Sequence, residues 1–274
     1  MSKVWLITGS SRGLGRQLAE EVLASGDKLI ATARKADQLQ DLVVRYGSQV
    51  HPVSMDVTKP EEVKKAISTA IEVFGKLDVI VNNAGYGNIS AIEETSDEDF
   101  RAQIETNMWG VINVSKAVLP YMIKQGSGHI IQISSVGGRT GAPGLGAYQT
   151  AKWAVEGFSE VLTKEVAPLG IKVTIVEPGG FRTDWAGSSM QHVEPGDNYK
   201  STVGLMLQRT RESSGKQPGD PVKGAKAIVT VANAENPPLR LLMGSDAVKI
   251  ANIVDQAKLD ETKRWEQLSV STDF

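Results

Sequence analysis

The sequence predicts a doubly wound α/β fold built around one parallel sheet. Short runs rich in β-branched residues alternate with longer amphipathic segments along the chain, which is the pattern of repeated strand–helix units. Several runs, such as VIVNN at 79–83 and VTIVE at 173–177, are apolar almost throughout, as expected of strands covered by helices on both faces. With 274 residues, of which 41% are hydrophobic, the chain is expected to form one domain over residues 1–274.

Seven segments are strand candidates and six are helix candidates. The strand candidates are Val4–Thr8, Lys28–Ala33, Val50–Met55, Val79–Asn82, His129–Ile133, Lys172–Val176 and Arg240–Met243. The helix candidates are Leu14–Ala24, Ala36–Tyr46, Pro60–Phe74, Asp97–Ile123, Tyr148–Ala167 and Pro221–Val231. Hydroxyl residues ahead of an acidic first turn favour helix starts, so Thr58 and Ser96 are candidate caps for the third and fourth helices.

Two segments depart from the strand–helix alternation. Residues 184–220 are rich in Gly, Ser, Gln and Pro, and we expect a long loop that closes over the substrate as a mobile lid. Its scattered apolar residues would line a bulky, largely apolar substrate; they are Trp185, Met190, Leu205 and Met206. Residues 245–274 predict one further helix, with an apolar stripe at Ile250, Ile253, Val254 and Ala257.

Composition excludes several classes of function. The formal net charge is −2, so no general basic field is available to hold nucleic acid or an anionic membrane. The chain has no cysteine, and His51, His129 and His192 are scattered, so no metal site is expected. No apolar run has the length of a bilayer span or of a signal-peptide core, and a cytoplasmic location is the expectation.

A glycine-rich turn follows the first strand and predicts a dinucleotide site. The sequence TGSSRGLG at 8–15 opens a helix, and its glycines allow a tight turn and a close approach of the backbone to a pyrophosphate. The turn residues expected at the cofactor are Gly9, Ser11, Arg12, Gly13, Leu14 and Gly15.

The end of the second strand indicates which dinucleotide is preferred. Enzymes that use NAD usually place an acidic residue there, and Ala33 occupies that position in this chain. Arg34 follows it and Arg12 lies in the glycine turn, so two guanidinium groups are available for a 2′-phosphate. The prediction is therefore NADP(H).

Three further strand ends are candidate cofactor walls, because ligands bind at the carboxyl ends of strands in doubly wound sheets. Asp56 and Val57 end the third strand, and the Asp56 carboxylate is a candidate acceptor for the adenine amino group. The candidates after the fourth and sixth strands are Asn83, Ala84 and Gly85, then Pro178, Gly179 and Thr183.

A candidate catalytic group lies at the start of the fifth predicted helix. Tyr148 and Lys152 are four residues apart and share one helix face, where an ammonium would lower the pKa of the phenol and fit it for proton transfer. Ser134 and Ser135 close the fifth strand, and a hydroxyl there can hold a substrate carbonyl against the phenol. Asn107, within the fourth helix, is a candidate to hold a water that passes protons towards Lys152.

In combination these motifs resemble those of the short-chain dehydrogenase/reductase superfamily. The resemblance covers Val4 to about Gly244 and rests on TGSSRGLG, NNAG, Asn107, Ser135, Tyr148–Lys152 and PGGFRT. It implies a Rossmann domain with a seven-stranded parallel sheet and a catalytic tetrad. It also implies the roles of the tetrad: Tyr148 as acid–base, Lys152 binding the nicotinamide ribose, Ser135 positioning the carbonyl and Asn107 anchoring a relay water.

The resemblance also bears on the partners. It implies a small-molecule carbonyl or alcohol substrate, and a homodimer or homotetramer built mainly on the helices at 97–123 and 148–167. Two other functions remain open at this point: a binding module that senses NADP without turnover, and a related epimerase or dehydratase. An intact tetrad argues against the first, and the glycine spacing and the lack of a larger C-terminal domain argue against the second.

Overall fold

The predicted doubly wound architecture is confirmed by the structure, a computed structural model that describes residues 2–183 and 190–274. Seven parallel strands form the main sheet in the order β3-β2-β1-β4-β6-β7-β9, and β5 pairs with β8 in a small second sheet. The strands are β1 (Val4–Ile7), β2 (Lys28–Ala33), β3 (Val50–Ser54), β4 (Val79–Asn82), β5 (Asn88–Ile89), β6 (Gly128–Ile133), β7 (Ile171–Pro178), β8 (Gln191–His192) and β9 (Arg240–Met243).

Alternation along the buried strands divides the core into two layers. Side chains of a strand point to opposite faces in turn, so Trp5 and Ile7 of β1 pack in one hydrophobic cluster and Val4 and Leu6 in the other. All four are at most 1% exposed, which explains why the strand is apolar throughout.

Nine α-helices cover these faces and the edges of the described chain. They are α1 (Gly13–Ala24), α2 (Gln40–Tyr46), α3 (Pro60–Phe74), α4 (Asp97–Ile104), α5 (Gly110–Gln125), α6 (Gly146–Val166), α7 (Leu205–Ser213), α8 (Pro221–Asn233) and α9 (Ser245–Val270). None of those within the described residues has the length and apolar content needed to cross a bilayer.

The fourth predicted helix is interrupted by a wide turn. A π-helical segment at Glu105–Trp109 joins α4 to α5, and Asn107 lies inside it. Ser96 caps α4 as predicted, since its hydroxyl accepts a hydrogen bond from the Asp99 N–H at 3.1 Å. The predicted cap at Thr58 is wrong: its hydroxyl donates to Asp56 instead, and α3 starts with Pro60, which needs no partner for a backbone N–H.

The segment at 184–220 contains regular structure that its composition did not reveal. Trp185 lies outside the described residues, but from residue 190 onward the chain forms β8, a second π-helical segment at Lys200–Gly204, and α7. Met190 is buried in a third hydrophobic cluster, in which Val203 and Leu207 pack with Ile89 and Leu145. Met206 packs against this cluster and Leu205 is exposed, so only part of the predicted apolar set faces outward.

The tail helix is confirmed as α9, but its buried face differs in part from the predicted stripe. Ala247 and Ala251 are buried and the predicted Ile250 and Val254 are half-buried on the same face, whereas the predicted Ile253 and Ala257 are exposed. Alanine presents the smallest side chain compatible with close approach, so the helix packs on the domain at Ala247 and Ala251. Beyond Lys258 every residue of α9 is exposed.

A buried histidine gives this fold a pH dependence. His129 of β6 is 4% exposed, and its Nε2 lies 2.9 Å from the Thr174 hydroxyl of β7. Burial, together with the nearby Lys172 and Lys3 charges, lowers the pKa of His129 to about 4. The unfolded chain takes up this proton near pH 6.5 and the folded chain does so only near pH 4, so stability is complete above pH 6.5 and is lost as the pH falls between the two values.

We therefore expect His129→Gln to flatten the dependence of unfolding free energy on pH. The parent should lose up to about 3 kcal/mol more than the variant between pH 6.5 and pH 4, because only the parent has this pKa difference between its two states. Urea denaturation at a series of pH values measures it. Parallel curves for the two proteins would contradict the assignment.

Candidate functional site

The glycine turn leaves the start of α1 free to bind an anion. Gly9 and Gly13 have φ of +69° and +58°, a left-handed conformation that other residues rarely adopt. No side chain caps α1 at Arg12, and its first turn contains no acidic residue, so its N–H groups and its dipole favour a negatively charged ligand. A Cβ at Gly15 would lie 2.3 Å from both Asn83 Nδ2 and Gly9 O, so the turn also requires this glycine.

A threonine that sequence reasoning missed joins the glycine turn to the end of β4. The Thr8 hydroxyl accepts hydrogen bonds from the N–H groups of Asn83 and Ala84 at 2.9 and 2.8 Å. The Asn83 amide donates to the carbonyl groups of Thr8 and Gly9 at 2.9 and 3.1 Å. The predicted wall of residues 83–85 therefore stands directly beside the predicted pyrophosphate turn.

The two predicted phosphate-binding arginines are both exposed at the mouth of the site. Arg12 lies at the start of α1 and Arg34 follows the last residue of β2, Ala33, which is buried. Among residues 2–183 and 190–274, neither guanidinium forms an ion pair with a carboxylate, so both charges are available to an anionic ligand.

The end of β3 is more constrained than predicted. Asp56 Oδ1 accepts hydrogen bonds from both the N–H and the hydroxyl of Thr58, at 2.9 and 2.8 Å, so one carboxylate oxygen is engaged in a local turn. Val57 is buried in the core, where it contacts Gly110 at the start of α5. The Asp56 N–H also donates to Glu62 Oε2 at 2.7 Å, and the Val57 carbonyl accepts from the Asn113 amide at 3.0 Å, so the second Asp56 carboxylate oxygen is the group left for a ligand here.

At the opposite end of the site, the turn after β7 is held by α9. Asp246 Oδ2 accepts a hydrogen bond from the Gly180 N–H at 2.7 Å, and a Cβ at Gly179 would lie 2.4 Å from the same carboxylate. Thr183 lies beside the glycine turn, 3.6 Å from where a Cβ of Gly13 would stand. The structure thus brings Thr183 to the glycine turn, while Asp246, which belongs to no recognisable sequence motif, holds the turn after β7.

The predicted catalytic side chains meet at the carboxyl end of β6. Tyr148 and Lys152 of α6 are 8% and 5% exposed, and the Lys152 ammonium donates to the Ile133 carbonyl at 2.7 Å. The Lys152 Nζ is 5.6 Å from the centre of the Tyr148 ring. The Ser135 hydroxyl hydrogen-bonds the phenol and accepts from the Gly137 N–H at 3.0 Å.

Burial controls the proton affinities in this group. It raises the pKa of Tyr148 to about 12, against a lowering by the Ser135 hydroxyl. It lowers the pKa of Lys152 to about 8, against a raising by Glu156. The expected lowering of the Tyr148 pKa by Lys152 is not seen here, since burial raises this pKa and the opposing effect comes from Ser135, so the structure presents Tyr148 as a neutral phenol that can donate a proton.

Asn107 lies at the bottom of the same site. Its side-chain oxygen accepts from the Tyr86 N–H at 3.0 Å and its amide donates to the Tyr86 carbonyl at 2.8 Å, which satisfies a fully buried group. A Cβ at Gly85 would lie 2.5 Å from Asn107 Oδ1 and 3.9 Å from Lys152 Nζ. Asn107, Gly85 and Lys152 are therefore neighbours, as the sequence reasoning required.

A network of buried charges, also missed from the sequence, lies behind these groups. Glu177 is fully buried near the end of β7, and its Oε2 is 2.7 Å from Arg139 Nε. Arg240 of β9 bonds Glu156 of α6 at 3.0 Å. The available signals were a glutamate ending an otherwise apolar strand and a second charged residue four positions after Lys152.

Comparison with known proteins agrees with this geometry. The short chain dehydrogenase family profile matches residues 3–194. A protein named Oxidoreductase BOA17, from Botryotinia fuckeliana, is 51% identical over 273 residues, which cover 99% of this chain and 100% of that one. A short-chain dehydrogenase from Streptomyces avermitilis superimposes with a TM-score of 0.93 at 40% identity, covering 100% of this chain and 99% of that one.

A more distant solved structure was determined with a cofactor. It is a short chain dehydrogenase from Burkholderia cenocepacia J2315 in complex with NADP, 26% identical, with a TM-score of 0.76 and coverage of 96% and 97% of the two chains. Together with the family match over most of the chain, the glycine turn and the Ser–Tyr–Lys group, these findings establish that the chain belongs to the short-chain dehydrogenase family of oxidoreductases.

Proposed function

We propose that the protein is an NADP(H)-dependent oxidoreductase that interconverts a ketone or aldehyde and the corresponding alcohol. The observation that carries this proposal is the meeting of Tyr148, Ser135 and Lys152 at the carboxyl end of β6, beside a glycine turn built for a pyrophosphate. When bound, NADP(H) supplies or accepts the hydride at the substrate carbon.

Proton transfer is assigned to Tyr148. A carbonyl oxygen placed against the phenol and the Ser135 hydroxyl receives two hydrogen bonds, and the phenol gives up its proton as negative charge develops on that oxygen. A charged Lys152 stabilises the phenolate that remains. Asn107 holds the backbone at Tyr86, and the π-helical segment around it disturbs the regular backbone pairing, which suits a site for a relay water.

The same geometry favours NADP(H) over NAD(H). The two exposed guanidinium groups of Arg12 and Arg34 lie where a 2′-phosphate is expected. Residue 33 is alanine, so the carboxylate that would repel this phosphate is absent from that position. The NADP complex of the Burkholderia relative supports this choice.

The substrate is proposed to be a bulky, largely apolar carbonyl compound. The small core of β5, α7 and Met190 packs on Leu145, the residue at the start of the helix that carries Tyr148. The segment at 190–213 is therefore well placed to cover the substrate, and its exposed Leu205 offers apolar surface. NADPH oxidation measured with a panel of ketones, aldehydes, quinones and 3-oxoacyl compounds identifies the class.

We also propose a homodimer or homotetramer built on α4, α5 and α6. Large apolar side chains are exposed on these helices, among them Tyr121, Trp153 and Val161. Two open clefts flank them, of about 370 and 460 Å³, and each is lined by a half-exposed tryptophan, Trp109 or Trp153. Such patches are typical of subunit contacts.

Tyr148→Phe should lower turnover by about 10²- to 10⁴-fold, because only the proton-transferring hydroxyl is lost. Affinity for NADPH, measured by fluorescence titration, should change by no more than a few-fold. Tyr121→Phe, which removes the hydroxyl of an exposed tyrosine on α5, is the matched control. Activity of the Tyr148 variant within a few-fold of the parent would remove Tyr148 from its role.

The parent should have a higher kcat/KM with NADPH than with NADH. Ala33→Asp combined with Arg34→Leu should shift this preference towards NADH by about ten- to a hundred-fold, because a charge-assisted bond to phosphate is replaced by repulsion. Arg45→Leu removes another exposed arginine and should leave the preference unchanged. A parent that prefers NADH contradicts the assignment.

Light scattering at micromolar concentration should give a mass of two or four subunits. Val161→Lys should reduce it, because it places charge on the proposed contact helix, where Val161 is 57% exposed. Deletion of residues 259–274, which are all exposed, should leave the number of subunits in the assembly unchanged. A monomeric parent would refute the assembly, and a monomeric deletion variant would move the contact to α9.

A further inference from the structure

The helix that carries Tyr148 and Lys152 has another buried charged residue one turn further on. Glu156 is 7% exposed, and its spacing of four residues from Lys152 places both on one helix face. A Cβ at Gly138 would lie 2.9 Å from the Ser134 hydroxyl and 3.1 Å from Glu156 Oε1. The missing side chain at Gly138 thus makes room for a carboxylate behind the catalytic group.

Arg240 fixes this carboxylate from the neighbouring sheet edge. Its Nε donates to Glu156 Oε2 at 3.0 Å and lies 3.3 Å from Glu177 Oε1, and its guanidinium also bonds Glu160. A carboxylate held in one place by a guanidinium acts as a fixed charge on its surroundings.

The network around Lys152 has more acidic than basic groups. The described carboxylates in it are Glu156, Glu160, Glu177 and Asp255, and the cations around Lys152 are Arg139, Arg240 and Lys258, whose ammonium donates to the Arg139 carbonyl at 2.9 Å. Arg139 bonds Glu177 of β7 and Asp255 of α9. Glu156 is the carboxylate of this network that lies nearest to Lys152 along α6. The local excess of negative charge favours a charged lysine.

The proton affinities of the two side chains overlap near neutral pH. Burial raises the pKa of the Glu156 carboxyl to about 7, against the opposing effects of the Ser134 hydroxyl and Arg240. Burial also lowers the pKa of Lys152 to about 8, while Glu156 raises it. The carboxyl is therefore mostly ionised above pH 7, where the buried amine loses its proton.

We propose that Glu156 is a positioning residue of the reaction: its carboxylate, fixed by Arg240, keeps the Lys152 ammonium charged inside a buried site. The charge relation between the two side chains rests on their helix spacing, on the position of Glu156 beside Gly138 and on the effect of Glu156 on the Lys152 pKa, and it does not depend on the proposed function. Its effect on turnover rests on the proposed function, because a charged Lys152 is there required to stabilise the Tyr148 phenolate.

Direct titration of Lys152 tests the charge relation without any substrate. In protein labelled with ¹³C at the lysine ε-carbon, the Lys152 signal is assigned by its loss in Lys152→Arg and followed from pH 6 to pH 10. The titration midpoint should fall by about one pH unit in Glu156→Gln, because burial then acts unopposed. Arg240→Gln should lower it too, since it raises the pKa of the Glu156 carboxyl, and this variant provides the test if Glu156→Gln does not fold.

Glu160→Gln is the matched control. It removes a carboxylate from the same arginine, but Glu160 is one turn further from Lys152 and its side chain is 46% exposed, so the midpoint should stay at the parent value. A parent-like midpoint in Glu156→Gln and Arg240→Gln overturns the inference. An equal fall in Glu160→Gln also overturns it, because the effect would then belong to the network and not to Glu156.

The pH profile of kcat/KM for carbonyl reduction gives the catalytic consequence. The alkaline limb should move down by the same one pH unit in Glu156→Gln, with about a tenfold loss above pH 8 and little change at pH 6. A merely structural role would lower activity evenly at all pH values and would overturn the positioning role. If no carbonyl compound is reduced by the parent, the proposed function fails, and the titration still decides the inference.

Discussion

The direction of the parallel strands is the constraint on which the site depends. Because all seven strands of the main sheet run the same way, their carboxyl ends lie at one edge. The order of the strands in the sheet places β1, β4, β6 and β7 side by side. The glycine turn, residues 83–85, Ser135 and the turn at 178–180 are the direct continuations of these four strands. Groups far apart in sequence are brought together by strand pairing, before any side chain contributes.

Much of this arrangement could be predicted from the sequence, because it is encoded locally. The apolar strands predict a sheet covered on both faces, and the glycines within residues 9–15 indicate a turn that other residues rarely adopt. Tyr148 and Lys152 are related by helix spacing alone. Where a function is carried by neighbours in sequence, the pattern of residues is sufficient to locate it.

The remainder could not be predicted, because it depends on contacts between distant elements. The role of Thr8 comes from its hydrogen bonds to the N–H groups of Asn83 and Ala84, which are distant in sequence. The predicted stripe on α9 is correct at Ile250 and Val254 and wrong at Ile253 and Ala257, because the buried face is set by where Ala247 and Ala251 meet the domain. Segment 190–213 has a loop-like composition, but Val203 and Leu207 pack with Ile89 of β5 and with Leu145 in a small hydrophobic cluster.

The π-helical segment at Glu105–Trp109 has a consequence for how the chain can vary. A π-turn holds an extra residue compared with an α-turn, so the two halves of the long helix keep different phases around its axis. Buried residues lie before, within and after this segment, at Gln103, at Asn107 and then at Gly110, Val111, Val114, Ser115 and Val118. Deleting one residue here would turn α5 by about 100° relative to α4 and carry Val111 and Val114 off the core. The length of this segment is thus set by the packing of α5, and an insertion or deletion here would disturb the core.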